Sequence, residues 1–139
     1  MIRGYFYRMD ATSRPFSSAR FQFPTLNNRL LGVELLVDTG ADLTILSPQD
    51  AQRVGIDITT LPVGSPGIGV GGQAPTRVVE AVLTIGNFST LLNLPIPVTP
   101  NPIPSLPGRE ILGHFALFME ERTQRVLLLE PHEADALQL

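Results

Sequence analysis

The stretch LLVDTGAD, residues 35–42, decides how this sequence is interpreted. Three large apolar residues run directly into Asp38, and Thr39 and Gly40 follow it. We expect the apolar run to be a buried strand, so that the Asp38 carboxylate lies at its end, partly removed from water. Thr39 adds a hydroxyl group, and Gly40 lets backbone N–H groups come close. An ordinary strand-to-turn junction has the same residue types, so this stretch alone leaves a structural and a catalytic interpretation open.

The rest of the chain favours many short strands and little helix. It has 139 residues, enough for one domain, and 13 prolines and 12 glycines interrupt its apolar segments. Segments whose apolar residues alternate, or run together between turn residues, are predicted strands: residues 16–24, 30–37, 77–85, 88–98 and 126–130. Ser47 before Pro48 predicts a short helix ending at Gly55, and residues 111–119 predict another. The pattern predicts an all-β fold with one short helix or two.

Composition and charge exclude several functional classes. The sequence contains no cysteine and only two histidines, which argues against disulfides, thiolate chemistry and a histidine-built metal centre. The net charge is −3 and the basic residues form no run, so we expect no nucleic-acid partner. No segment reaches the ~18–20 apolar residues of a membrane span, and residues 1–14 lack the apolar stretch of a secretory signal. We therefore expect a cytoplasmic protein that does not bind membranes.

Two segments further along the chain add to the interpretation of Asp38. Residues 67–72, GIGVGG, are rich in glycine and lie between predicted strands, and residues 111–113, ILG, place two apolar residues before a glycine. The glycine segment also has the G-x-G-x-x-G spacing of dinucleotide-binding loops. That loop requires a helix after it, whereas residues 73–79 are QAPTRVV, which favours a strand. We interpret the glycine segment as the tip of a β-hairpin.

Taken in this order, the Asp-Thr-Gly triplet, the glycine segment and the ILG segment resemble the retroviral-type aspartic peptidases, the retropepsin-like family. The resemblance covers residues 16–130 and implies a closed-barrel-like, all-β domain with a flap hairpin. Residues 1–15 are then an N-terminal arm, and residues 131–139 are a C-terminal tail.

The resemblance also implies roles for individual residues. Asp38, Thr39 and Gly40 match the catalytic triplet, and residues 67–72 match the flap tip that closes over substrate. The ILG segment matches the element that packs beneath the catalytic loop. The residues expected to bind substrate are Ala41, Asp42, Gly67, Ile68, Gly69, Val70, Gly71 and Ile111.

A single Asp-Thr-Gly triplet predicts a homodimer. Metal-free hydrolysis of a peptide bond needs a base that activates water and an acid that protonates the substrate, and two carboxylates sharing one proton supply both. The chain has one triplet and is too short for two lobes, so a second chain must bring the other Asp38 across a twofold axis. The predicted function is an aspartic endopeptidase that cleaves extended, apolar peptide segments without a cofactor. The alternative is a catalytically silent module that binds peptides or dimerises.

Overall fold

A computed structural model describes residues 1–9, 11–69 and 72–137 of the chain. The strands are β1 (Ile2–Arg3), β2 (Tyr5–Met9), β3 (Thr12–Phe23), β4 (Arg29–Leu36), β5 (Gly67–Gly69), β6 (Gly72–Ala74), β7 (Thr76–Ile85), β8 (Phe88–Pro97), β9 (Ala116–Glu120) and β10 (Arg125–Leu129). The helices are α1 (Pro48–Arg53), α2 (Arg109–Leu112) and α3 (Pro131–Ala136). The predicted all-β class with short helices is confirmed.

The described strands form three antiparallel sheets. The largest has the strand order β2-β3-β7-β8. A fifth strand of this sheet, β4, pairs with β3 along the edge of β3 opposite to β7. A second sheet has the order β1-β10-β9, and β5 and β6 form a two-stranded hairpin. These sheets do not close into a barrel in the described part of the chain, because β9 has a strand partner on one side only. The closed-barrel feature of the prediction is therefore corrected, although the all-β fold agrees.

The hydrophobic core lies beneath the large sheet and anchors the strands that lead to the site. Side chains of β7 alternate between core and surface, and Leu83 and Ile85 on its inner face are almost fully buried. Leu35 of β4, Leu46 and Ile111 join the same core and are fully buried. Each such side chain contributes about 1.5–3 kcal/mol through the area it removes from water.

The first predicted helix is confirmed and the second is wrong in position. Ser47 caps α1, because its hydroxyl accepts a hydrogen bond from the Asp50 backbone N–H at 3.0 Å. The second helix, α2, is only one turn long, and most of the apolar residues predicted to continue it form β9 instead. A short apolar run does not distinguish a helix from a strand, and pairing with β10 decides for the strand. No helix among the described residues is long and apolar enough to cross a membrane.

Both ends of the described chain pack against the same sheet. Ile2 of β1 pairs with Leu128 of β10, and α3 also packs on β10. The side chains of Glu130 and Glu133 form a capping box at the start of α3. The division into an arm ending at residue 15, a domain ending at residue 130 and a C-terminal tail stays a prediction.

Candidate active site

The Asp38 loop begins where β4 ends, and backbone hydrogen bonds hold that end of the strand on both sides. The Leu36 N–H donates to the Ser105 carbonyl at 2.9 Å, and the Val37 N–H donates to the Pro15 carbonyl at 3.0 Å. Val37 is buried, whereas Asp38 is exposed in the single chain. The predicted partial burial of this carboxylate is therefore wrong for the single chain, because the turn carries it away from the core to the protein surface.

The Asp38 side chain is oriented by its own loop. Its Oδ1 accepts a hydrogen bond from the Gly40 N–H at 2.9 Å, and its carbonyl accepts one from the Ala41 N–H at 3.4 Å. A Cβ atom at residue 40 would lie 3.3 Å from that Oδ1, so glycine is the residue that fits this approach without displacing the carboxylate. The triplet thus holds the carboxylate in one orientation through a local turn.

Asp38 and Thr39 face an open cavity of about 530 Å³. The cavity lies between the end of β4, the beginning of β3 and the strand β9. Its other lining residues are Arg14, Pro15, Leu36, Val37, Leu117, Met119 and Glu121. Leu117 and Met119 belong to the segment that was predicted as a helix, and its pairing with β10 as a strand brings both side chains to this cavity.

Behind the loop, a buried threonine links the segment that contains Asp38 to α2. The Thr44 N–H donates to Glu110 Oε1 at 2.7 Å, and the Thr44 hydroxyl donates to the same oxygen. That hydroxyl also accepts a hydrogen bond from the Gly108 N–H at 2.9 Å. The Arg109 N–H donates to the Ala41 carbonyl at 3.0 Å. Four hydrogen bonds therefore connect residues 41–44 to the beginning of α2.

The ILG segment follows directly after the residues that bond to the loop segment, and its place beneath the loop stays a prediction. Ile111 is fully buried in the core and does not line the Asp38 cavity. At the start of α2, a Cβ atom on Gly108 would lie 2.3 Å from the Leu43 carbonyl carbon. Only glycine allows this approach, so Gly108 is a structural residue that the sequence analysis missed.

A second network, also missed by the sequence analysis, joins α1 to the strand before Asp38. The Ser105 hydroxyl donates to Asp50 Oδ2 at 2.6 Å and accepts a hydrogen bond from the Ser47 N–H at 2.8 Å. Since the Ser105 carbonyl accepts from Leu36, one buried serine holds both α1 and the end of β4.

The glycine segment forms the predicted hairpin. Gly67 pairs with Ala74 and Gly69 pairs with Gly72, while Val70 and Gly71 lie outside the described residues. The segments that flank β5 and β6 form the stem of this hairpin, at residues 63–66 and 75–77. There the Gly64 N–H donates to the Thr76 carbonyl at 3.0 Å, and the Thr76 hydroxyl donates to the Ser65 carbonyl at 2.6 Å.

A smaller cavity of about 280 Å³ lies between the stem of the hairpin and the residues that follow the Asp38 loop. It is lined by Leu43, Thr44, Ser65, Thr76, Val78, Leu92, Asn93, Pro95 and Glu110.

Asp42, which precedes Leu43 in the sequence, is exposed and makes no ion pair within the described residues. Within the same residues, no three histidine, aspartate or glutamate side chains come together as ligands for a metal ion.

Comparison with known proteins defines the class. The aspartyl protease family matches residues 25–124, well over half of the chain, so the chain belongs to that family. It is similar to the EIAV protease complexed with the inhibitor HBY-793, with 21% identity and a TM-score of 0.54 over 77% of this chain and 92% of that chain. It is also similar to a retropepsin-like aspartic protease from Rickettsia conorii, with 20% identity and a TM-score of 0.56 over 92% and 91% of the two chains. No curated protein matches. The retropepsin-like fold is thereby confirmed.

Proposed function

We propose that the protein is an aspartic endopeptidase that works as a homodimer, with one Asp38 from each protomer. The observation that carries this proposal is the position of Asp38, which is oriented by Gly40 and exposed on a large open cavity. Glu121, the other carboxylate that lines this cavity, lies in the turn between β9 and β10 and makes no hydrogen bond to Asp38. A second Asp38 is therefore the acid that completes the pair.

The chemistry follows from the shared proton of the pair. Two close carboxylates do not both ionise, so one is a base and the other an acid. The base takes a proton from water as the water oxygen bonds to the peptide carbonyl carbon, and the acid gives its proton to the carbonyl oxygen. The carboxylate that was the base then protonates the amide nitrogen as the C–N bond breaks, and its partner recovers a proton from the new carboxyl group. The pair returns to its starting state with one proton.

The outer edge of β9 supports dimerisation next to Asp38. Because β1 occupies the far side of β10, β9 is an edge strand with unpaired backbone groups. Its apolar side chains are partly exposed, with 39% of Phe118 and 36% of Met119 accessible to solvent. Leu117 and Met119 line the Asp38 cavity. An apolar strand edge beside an incomplete site is a suitable contact for a second copy of the chain.

The sequence of β9 also permits antiparallel pairing with itself. Pairing centred on Phe118 sets Leu117 opposite Met119 of the partner subunit and Ala116 opposite Glu120 of the partner subunit. No like charges then face each other across the interface, and the central pairs are apolar.

The substrate we propose is an extended peptide bound between the Asp38 loop and the β5–β6 hairpin. The hairpin acts as the flap, and Ala41, Asp42 and residues 67–71 contact the substrate backbone. Leu36, which lines the Asp38 cavity, favours apolar side chains next to the cleaved bond. The cytoplasmic location stays a prediction from the sequence.

The test combines peptide-library digestion with sedimentation for three proteins. The wild type is expected to cleave peptides as a dimer, and Asp38→Asn is expected to lose at least about 10³-fold in kcat/KM. Asn keeps an oxygen that accepts from Gly40, so the variant should fold normally. Glu121→Gln is the matched control and should remain active. Cleavage by a strictly monomeric wild type, or loss of activity in Glu121→Gln alone, would contradict the proposal, and peptide binding without turnover would identify a silent module.

A further inference from the structure

Glu110 places a carboxylate in the smaller cavity without a cation to neutralise it. Its Oε1 accepts two hydrogen bonds, from the N–H and the hydroxyl of Thr44. Its Oε2 makes no hydrogen bond among the described residues, and no ion pair there includes Glu110. No arginine lines the cavity, and the sequence contains no lysine. One carboxylate oxygen is thus available to a ligand in this cavity.

The cavity lies along the path of a bound peptide. Leu43 follows Asp38 by five residues in the sequence. Five residues of fully extended chain span at most about 18 Å, so Leu43 lies within that distance of Asp38. On the other side, Ser65 and Thr76 belong to the stem of the hairpin that we propose as the flap. A peptide held between Asp38 and that hairpin therefore reaches the cavity within about five residues of the bond that is cleaved.

We propose that this cavity is a substrate subsite that takes a lysine side chain, with Glu110 as the residue that determines this specificity. The inference rests on the proposed function and makes it more specific. Leu43, Val78 and Pro95 line the cavity and provide apolar surface for the four-carbon stem of lysine. Because Glu110 Oε1 is occupied, the carboxylate offers one oxygen, which suits the compact ammonium group of lysine better than a bidentate guanidinium.

The experiment compares matched peptides that carry lysine, Nε-acetyl-lysine or norleucine at each of the five positions on either side of the cleaved bond. The expected result is about tenfold higher kcat/KM for lysine at one position, from a single charge-assisted hydrogen bond. Acetyl-lysine keeps the stem and removes the charge, so it should be cleaved like norleucine. This comparison needs no variant of the protein.

Two variants then assign the preference to Glu110. Glu110→Gln keeps the oxygen that accepts from Thr44 and removes the charge, so the ratio of kcat/KM for lysine peptides to kcat/KM for norleucine peptides should fall to about one. Asp135→Asn removes the same charge from an exposed position on α3 and should leave the preference unchanged.

Equal cleavage of lysine and norleucine peptides at every position overturns the inference, as does a lysine preference that survives in Glu110→Gln. If no peptide is cleaved, the proposed peptidase activity fails separately. The same peptides are then compared by fluorescence anisotropy, where tighter binding of lysine than of acetyl-lysine supports the subsite and equal binding overturns it.

Discussion

The two sides of the Asp38 loop differ in how completely their polar groups are bonded. Behind the loop, Thr44 and Ser105 are 2% and 1% exposed, and their hydroxyl groups each make two hydrogen bonds. In front of it, Asp38 and Thr39 are exposed on an open cavity. The difference teaches that the chain supports the carboxylate with buried hydrogen bonds on one side and leaves the other side of the site open, as the proposed homodimer requires.

This difference separates stability from activity. A buried hydroxyl that loses its partner costs about 1–3 kcal/mol, whereas an exposed side chain contributes little to folding. We therefore expect substitutions in front of the loop to change activity and assembly, and substitutions behind it to change the free energy of unfolding.

After Asp38→Asn, the largest effect is expected in front of the loop, from a charge on the β9 edge. Met119→Arg puts a cation where apolar side chains of two protomers are proposed to meet, so the protein should become monomeric and lose at least about 100-fold in kcat/KM. Sedimentation velocity and peptide cleavage measure the two effects. Met119→Leu is the control and should stay dimeric. A monomeric Met119→Arg protein with full activity would show that the site needs no second chain.

Behind the loop, Thr44→Val should lower the free energy of unfolding by about 3 kcal/mol. Valine has nearly the same shape, but it leaves the Gly108 N–H without its acceptor and removes one donor to Glu110. Urea unfolding followed by circular dichroism measures the change. Thr44→Ser keeps the hydroxyl and should recover most of the stability, so an equal loss in both variants would mean that the methyl group, rather than the hydrogen bonds, matters.

A smaller loss of about 2 kcal/mol is expected for Ser105→Ala, because the Ser47 N–H loses its acceptor and Asp50 loses a donor. Ser89, an exposed residue on β8, bonds only Thr84 through its side chain, and Ser89→Ala should change stability by less than about 0.5 kcal/mol. Comparable unfolding midpoints for the two variants would contradict the role given to Ser105.

The smallest effect concerns Tyr5, which is remote from these networks. Desolvation, together with its hydrogen bond to Glu34 at 2.7 Å and the charge of that carboxylate, raises the pKa of Tyr5 to about 12 from an ordinary value of 10.0. Between pH 10 and 12 the folded state holds a proton that the unfolded state has lost. Stability from this group is therefore complete below pH 10 and declines as the pH rises towards 12.

Tyr5→Phe tests this statement, because unfolding of the variant should depend less steeply on pH between 10 and 12. Absorbance of the tyrosinate should show an ionisation with a pKa of about 12 in the wild type that is absent from Tyr5→Phe. Identical pH dependence in both proteins would remove the link between Tyr5 and Glu34.

Local pattern predicted much of this fold because local physics decides those elements. Alternating apolar residues predicted β7, and a serine before a proline predicted the start of α1. The segment after α2 was mistaken for a helix because a short apolar run suits either structure, and only its pairing with β10 selects the strand.

The sequence by itself determined the catalytic candidate, since the turn that orients Asp38 involves only its neighbour two residues away. Tertiary structure alone decided what supports that turn. Thr44 and Glu110 are 66 positions apart in the chain, and Asp50 and Ser105 are 55 apart. A local sequence pattern does not predict such pairs. The two residues of each pair meet only when α1, α2 and β4 pack on one core and bring distant segments together.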